Sequence, residues 1–396
     1  MNKKISLGTV IALIAVAVAL TVTLTMAFSM RLFSAKVTDV IQRQALLDYL
    51  TEVDKQVREQ YDGDVDEAGL REAVAAAYVK GIGDPYAEYL NADQYTKVQA
   101  KLSGESEGFG LVVVRNTEGK VVIDAVDPGS PAATSGLKVG AIVLSADNVP
   151  LGTEMTTSEL QDLLQTAGKI RLTVRQDDKE QSFSLVSATY ELVTVTGKLL
   201  EDTGIGYVRI TAFSDVTSRQ FSDMVEQLRT QGASSYIFDV RSNTGGSLTA
   251  VREMLAYLMP RGAYGTLTKS GMVEELTSEG TLELTVPSAT LINGSTMAEA
   301  ELFAGALSEQ QKTTLVGATT NGCAMVQEYF AITSTNARIK LSTGQLALSL
   351  GGSWQGIGIK PTREVLAITA EGTEDMQLQA AIDVLTGSTA VNNAGM

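Results

Sequence analysis

The distribution of apolar residues divides the N-terminal half of the chain into distinct stretches. Ile5–Met30 is an uncharged apolar run long enough to cross a bilayer as a helix. Apolar residues then recur every three or four positions over Leu47–Tyr61 and Leu70–Tyr78, which predicts two amphipathic helices. From Ser103 to Val186, short apolar strands alternate with glycine-rich turns and one helix, predicted over Thr157–Gln165.

After a junction at 187–195, predicted strands and helices alternate along the chain. This alternation is typical of an α/β core with parallel strands. The strands are predicted over Ile205–Ile210, Tyr236–Val240, Ala289–Ile292 and Thr314–Val316, and the helices over Thr217–Thr230, Leu248–Leu258 and Ala298–Leu307.

Composition narrows the class of protein. With 396 residues, of which 44% are hydrophobic, the chain can form the cores of two or three domains. The formal net charge of −15 gives a surface that repels nucleic acid, so we expect no nucleic-acid partner. One cysteine and no histidine preclude an internal disulfide and argue against a zinc site. We therefore expect neither a metal nor a cofactor.

The N-terminus has the pattern of an export or anchoring segment. Lys3 and Lys4 precede the apolar run, which favours a single-pass membrane anchor with the N-terminus in the cytoplasm. The alternative is a signal peptide cleaved after Ala27, although Thr-Met-Ala matches the preferred cleavage site poorly. Either interpretation places the bulk of the chain outside the cytoplasm.

The segment from Leu291 to Gln327 has the pattern of an active-site turn. A reactive side chain at position 298 would lie at a strand-to-helix turn, where free amides and the helix dipole stabilise a developing oxyanion. Beyond the next strand, Cys323 and Gln327 lie four positions apart. That spacing suits a base held by an amide one helical turn on or two strand positions on.

The sequences NGSTMAEAELFAGAL and NGCAMVQ resemble those of the C-terminal processing, or tail-specific, serine proteases. That family typically has a Ser-Ala run ending in Glu at 296–301 and Gly-Lys-Gly-Ser-Val-Gln at 322–327. The resemblance places the nucleophilic serine at Ala298, the lysine base at Cys323 and the glutamine that orients it at Gln327. Only the glutamine is retained, and the implied core is of the crotonase-like α/β type.

Two further segments resemble the same family. IGYVRITAFS and FDVRSNTGGSL are similar to its core, and the implied oxyanion donors are the backbone amides of Gly245 and Gly246. GIGDPYAEYL at 81–90 is similar to the run that precedes its peptide-binding module.

That module, a β-sandwich-like PDZ domain, is indicated by GFGLVVV and VDPGSPAATSGL. The resemblance implies that a loop of Gly108, Phe109, Gly110 and Leu111 receives a peptide's terminal carboxylate, with the neighbouring strand edge accepting the peptide. We therefore divide the chain into a cytoplasmic tip with anchor (1–35), a helical region (36–102), a PDZ domain (103–187) and a protease-like core (188–390).

The two replaced residues matter chemically. Alanine at 298 has no atom that can attack a carbonyl, and cysteine at 323 has a shorter arm than lysine and no amine. Losing the nucleophile or base of a catalytic unit costs on the order of a million-fold in rate, about 8 kcal/mol of barrier. Cys323 itself lacks the imidazole that would activate a thiol.

Three functional hypotheses follow. The leading one is a pseudoprotease that binds polypeptide C-termini or client proteins without cutting them. The second is an active peptidase with displaced groups, Ser295 or Thr296 as nucleophile and Lys312 or Lys340 as base. The third is a structural subunit of a homo- or hetero-oligomer, in the latter case with an active relative.

Overall fold

The computed structural model describes residues 7–151, 155–280, 286–311, 313–366 and 375–387. The chain divides into two compact units, Met1–Val74 and Ala75–Met396. The helices in the described ranges are α1 (Leu7–Gln60), α2 (Glu67–Gly81), α3 (Ala92–Ser103), α4 (Pro131–Ser135), α5 (Thr157–Thr166), α6 (Thr217–Thr230), α7 (Leu248–Leu258), α8 (Glu299–Gln311) and α9 (Met376–Thr386). The strands are β1 (Glu88–Leu90), β2 (Glu105–Gly108), β3 (Leu111–Arg115), β4 (Val121–Val126), β5 (Ile142–Ala146), β6 (Val149–Pro150), β7 (Lys169–Gln176), β8 (Lys179–Val186), β9 (Ala188–Glu191), β10 (Val195–Leu200), β11 (Ile205–Ile210), β12 (Ser235–Asp239), β13 (Gly262–Lys269), β14 (Met272–Ser278), β15 (Ser288–Ile292), β16 (Thr314–Gly317), β17 (Met325–Ala331), β18 (Arg338–Leu348) and β19 (Arg363–Glu364).

The first unit contains α1 and the start of α2. Helix α1 is 54 residues long and includes the amphipathic segment predicted from Leu47 onwards. The guanidinium of Arg58, near its end, forms an ion pair at 2.6 Å with Glu67 at the start of α2. This pair is exposed, so we expect it to contribute little to stability.

The membrane anchor predicted over Ile5–Met30 is not supported. Residues 7–30 are the beginning of α1, and that helix continues without interruption into charged residues such as Asp54 and Arg58. Among the residues that the structure describes, no helix combines the length and apolar composition needed to cross a bilayer.

An antiparallel sheet and α5 form the module between 105 and 187. The strands run in the order β3-β4-β5-β7-β8, with β6 beside β5. Helix α5 begins with a capping box, in which the Thr156 hydroxyl accepts the Glu159 amide and the Glu159 carboxylate accepts the Thr156 amide. Its Leu160 is buried with Ile123 and Leu172 of the sheet. The helix therefore closes one face of the sheet.

The C-terminal core is built on a second sheet of six strands in the order β10-β11-β12-β15-β16-β19. Strands β11, β12, β15, β16 and β19 are parallel, as the alternation of strands and helices predicts. Side chains alternate between the two faces of the sheet along each strand, and helices cover both faces, so both sets of side chains are buried. One face packs on α6, α7 and α8, and the other packs on α9.

Aromatic side chains fill the larger of these two interfaces. Phe303 of α8 is fully buried, and its ring centroid lies 5.9–6.3 Å from those of Phe213, Phe221 and Phe238. Helix α8 is thereby fixed against the sheet and against α6. Its N-terminus, where residue 298 lies, is positioned by this packing.

A further sheet, with the order β1-β18-β13-β14 and β17 beside β18, packs next to the core. The paired strands β2 and β9 connect the start and end of the PDZ-like module, with Glu105 opposite Glu191. The Leu192 amide donates to the Gly104 carbonyl at 2.8 Å, and the Asp215 amide to the Leu102 carbonyl at 2.8 Å. These bonds join the module to the core at its two connections.

We predict that Phe303→Ala lowers the free energy of unfolding by about 3–5 kcal/mol, because it removes a buried ring and leaves a cavity among three other rings. Urea unfolding followed by circular dichroism measures the change. Phe330→Ala is the matched control, since Phe330 is 43% exposed. Equal losses in the two variants would contradict the role assigned to the aromatic cluster.

Candidate active site

The predicted active-site residues Gly245, Gly246, Ala298 and Cys323 lie in loops at the carboxyl ends of parallel strands β12, β15 and β16, and Gln327 follows on β17. At this edge of an α/β sheet, loops from neighbouring strands form a crevice. Here the loops are 240–247, 293–298 and 318–324. Their mutual geometry decides what chemistry the site can support.

Hydrogen bonds hold these three loops together. The Ser242 amide donates to the Asn293 side-chain oxygen at 2.9 Å. The Met297 amide donates to the Asn243 carbonyl at 2.9 Å, and the Asn321 amide to the Thr296 carbonyl at 3.0 Å. The loops therefore form one connected structure.

Ala298 occupies the last position before α8 in a left-handed conformation, with φ of 52°. Such a conformation costs a non-glycine residue about 1–2 kcal/mol and persists where the surroundings enforce it. The Ala298 amide donates to Glu301 Oε2 at 3.0 Å, and the residue is buried. The sharp turn that would present a nucleophile is thus present, with a methyl group on it.

Cys323 is fully buried in the third loop. Its amide donates to Glu301 Oε2 at 2.8 Å, and Gln327 Nε2 lies 3.9 Å from its Sγ. Gln327 lies on β17 and also donates to the Met325 carbonyl at 2.8 Å, so the strand geometry rather than a helical turn brings it to residue 323. Burial raises the pKa of the Cys323 thiol, which disfavours the reactive thiolate.

Glu301 connects the loops of residues 298 and 323. Besides the amides of Ala298 and Cys323, its carboxylate accepts the Gly322 amide at 2.8 Å and the Thr320 hydroxyl at 2.5 Å. The side chain is fully buried, and burial raises its pKa against the opposing effect of these four bonds. One carboxylate therefore fixes the backbone at both Ala298 and Cys323.

Gly245 and Gly246 lie beside Ala298, with φ of 92° and 140°. A Cβ at Gly246 would overlap the Phe213 carbonyl, so only glycine fits there. Both amides have acceptors within the protein. That of Gly245 donates to the Asn243 side-chain oxygen at 2.9 Å, and that of Gly246 donates to Glu299 Oε2 at 2.9 Å.

An ion-pair network supports the loop that carries the two glycines. The buried Asp239 carboxylate accepts from the Arg241 guanidinium at 2.6 Å and from the Arg209 guanidinium at 2.8 Å. Arg241 also pairs with Asp375 at 2.7 Å. Burial opposes ionisation of Asp239, but the two arginines hold its pKa below the ordinary value.

Sequence reasoning missed three side chains at this site. Tyr86 lies near the Cys323 thiol and the Gln355 side chain, and burial raises its pKa. Gln355 accepts the Ala324 amide at 2.7 Å, and Glu299 reaches the glycine loop. The available signals were the GIGDPYAEYL run, which contains Tyr86, and two acidic residues at the start of an otherwise apolar helix.

Two of the four alternative catalytic groups, Thr296 and Lys340, are engaged in other contacts. The Thr296 hydroxyl donates to the Val240 carbonyl at 3.0 Å, and Lys340 Nζ pairs with Glu88 at 3.0 Å. Ser295 is exposed in its turn. Lys312 lies outside the described residues. Across the described ranges, no cluster of His, Cys, Asp or Glu side chains could hold a metal ion.

The predicted peptide loop borders a cavity of about 920 Å³. Gly108, Phe109, Gly110 and Leu111 line it together with α3 and α5. The Phe109 side chain is 2% exposed and also belongs to the module's core. The Phe109 and Gly110 carbonyls accept the amides of Ala132 and Asp127, which fixes the loop. Gln161 of α5 donates to the Val113 carbonyl at 3.1 Å, so this side chain bridges the groove.

Comparison with known proteins agrees with this architecture. The model of peptidase family S41 matches residues 204–365, and a PDZ-domain model matches residues 122–176. A solved structure assigned to the S41 proteases, from Bacteroides fragilis, aligns with a TM-score of 0.57 and 18% identity, over 83% of this chain and 92% of that one. At this identity the likeness concerns the fold.

Curated relatives extend the match beyond the two models. The carboxyl-terminal-processing protease of Synechocystis sp. is 29% identical over 78% of this chain and 75% of its own length. The carboxy-terminal processing protease CtpA of Bacillus subtilis is 27% identical over 79% and 68%. Together these matches support assignment of the chain to the C-terminal processing proteases with a PDZ domain.

We predict that Glu301→Gln lowers the free energy of unfolding by roughly 2–4 kcal/mol. The NH2 group of the new glutamine would replace one carboxylate oxygen, so the N–H or O–H donors to that oxygen would lose their acceptor. Urea unfolding measures the change, and amide hydrogen exchange at Gly322 and Cys323 should accelerate. Glu309→Gln is the control in the same helix, since its carboxylate accepts the exposed amides of Leu350 and Gly351. Unchanged exchange in Glu301→Gln would contradict this role.

The Arg241 network predicts a pH dependence of stability. Hydrogen bonds from Arg241 lower the pKa of Asp375. Its stabilising effect is therefore complete above the unfolded-state pKa of about 3.9 and is lost as pH falls towards the folded-state value. Asp375→Asn should cost up to about 1 kcal/mol at pH 7, since Asp375 is partly exposed, and the difference should shrink as pH falls below the unfolded-state pKa. Denaturant titrations at pH 7 and at a series of acidic pH values test this, and a pH-independent difference would refute it.

Proposed function

We propose that the protein is a pseudoprotease, which binds polypeptide C-termini through its PDZ groove and does not hydrolyse them. One observation carries the proposal: at the two positions where the family has its serine and lysine, the chain has the methyl group of Ala298 and the buried thiol of Cys323. Neither group can perform acyl transfer in this setting.

The groove supports the binding part of the proposal. The loop from Gly108 to Leu111 opens onto the cavity between β3 and α5, where a strand-like peptide could lie along β3. Lys97 and Lys101 of α3 also line this cavity and are the side chains that would pair with a terminal carboxylate, although Asp93, Glu105, Glu107 and Asp127 line it as well. The names of the curated relatives, which refer to carboxyl-terminal processing, are consistent with chain ends as ligands.

We further infer an extracytoplasmic location for the folded part of the chain. The support is the pair Lys3 and Lys4 followed by an uncharged apolar run, which is the sequence pattern of exported proteins. Clients outside the cytoplasm would then be exported or membrane-attached polypeptides with free C-termini.

The test is to incubate the purified protein with fluorescent C-terminal peptides and with an unstructured protein. We predict saturable peptide binding, at least about tenfold weaker binding of the C-terminally amidated peptides, and no fragments by mass spectrometry. Amidation removes the carboxylate charge without changing the side chains, so it isolates chain-end recognition.

Cleavage by the unmodified protein would contradict the proposal. If that cleavage disappeared in Ser295→Ala, the active-peptidase alternative with a displaced nucleophile would be correct. Equal affinity for free and amidated peptides would exclude recognition of chain ends.

A further inference from the structure

Glu299 is a buried acidic side chain that the site predicted from the sequence does not use. It is 5% exposed and is the first residue of α8, directly after Ala298. Its carboxylate accepts two backbone amides, that of Gly246 at 2.9 Å and its own. In the described ranges no lysine or arginine forms an ion pair with it, and burial raises its pKa.

The carboxylate lies between the glycine loop and residue 298. A Cβ built on Gly245 would be 3.0 Å from Ala298 Cβ and 3.3 Å from the Glu299 amide nitrogen, and would overlap Glu299 Oε2. The Glu299 oxygen is therefore adjacent both to the glycine amides and to the position of the missing nucleophile. A substrate carbonyl attacked from residue 298 would have to place its oxygen in this region.

We propose that Glu299 is a built-in plug, whose carboxylate occupies the oxyanion-binding position of the glycine loop and closes it to external carbonyl and carboxylate groups. Glu299 is then a third residue, besides Ala298 and Cys323, that opposes acyl transfer at this site. This inference goes beyond the proposed function, because peptide binding in the PDZ groove does not require the glycine loop to be either open or closed.

The physical basis is competition for the same amide. A ligand oxygen at the glycine loop needs the Gly246 N–H, which is already bonded to Glu299. An intramolecular acceptor has an effective concentration that a free ligand seldom reaches, so the resident carboxylate is favoured. Displacing it would also move a buried charged group away from its two donors, which is costly.

The direct test is amide hydrogen exchange at Gly246, which needs no enzymatic activity. Glu299→Ala should increase the Gly246 exchange rate at least about tenfold, whereas Glu299→Gln, which keeps an acceptor oxygen, should leave it near the unmodified rate. Glu309→Ala is the control in the same helix and should affect only Gly351 and Leu350. An unchanged Gly246 rate in Glu299→Ala would overturn the proposal.

The second test restores the catalytic groups. In the background Ala298→Ser, Cys323→Lys, adding Glu299→Ala should raise kcat/KM on an unstructured protein at least about 100-fold, the usual value of one oxyanion donor, and adding Glu299→Gln should not. Full activity of the double variant without a change at 299 would overturn the plug. If all these variants are inactive, the Gly246 exchange rates decide. Neither result depends on whether the unmodified protein binds peptides.

Discussion

The Glu301 carboxylate is the interaction on which the active-site region depends. Three backbone amides and one hydroxyl, contributed by two different loops, converge on its two oxygens. Each of these donors is buried and would cost about 1–3 kcal/mol if left without an acceptor. Glu301 in turn is fixed because α8 is packed against the sheet by Phe303. The geometry of the site therefore follows from the packing of one helix.

This dependence explains how the site geometry persists without the catalytic side chains. The groups that hold the loops are backbone amides and carboxylates, whereas a dyad would use only the side-chain ends at 298 and 323. Replacing the side chains at 298 and 323 leaves every bond to Glu301 in place, because those two residues donate through their backbone amides. A neutral lysine in a dry pocket is also costly to maintain, while a small buried cysteine packs as an apolar residue. The scaffold is thus compatible with alanine at 298 and cysteine at 323.

Sequence patterns were sufficient for elements that depend on local periodicity. The helices over Thr217–Thr230 and Leu248–Leu258 have the predicted bounds, since amphipathic spacing and flanking turns define them. The left-handed turn at Ala298 was not predictable, because alanine has no preference for it and a carboxylate three residues on enforces it. Tyr86 reaches Cys323 from more than two hundred positions away, and no local pattern encodes such a contact. The predicted anchor is not supported in the described residues, since an apolar run alone does not define the helix that contains it.

The spacing of Glu299 and Glu301 explains why one carboxylate contacts the glycine loop and the other contacts the loop of Cys323. Residues two apart on a helix point in directions about 200° apart, so two buried carboxylates at one helix start face opposite ways. Glu301 faces the loop of Cys323 and Glu299 faces Gly246. The bonds to Glu301 hold the loops of the site together, whereas the Glu299 carboxylate occupies the glycine loop. Because α8 presents both from one rigid turn, opening the glycine loop by moving the helix would also break the bonds to Glu301. A local change at residue 299, rather than a shift of α8, is therefore the less costly way to open the loop.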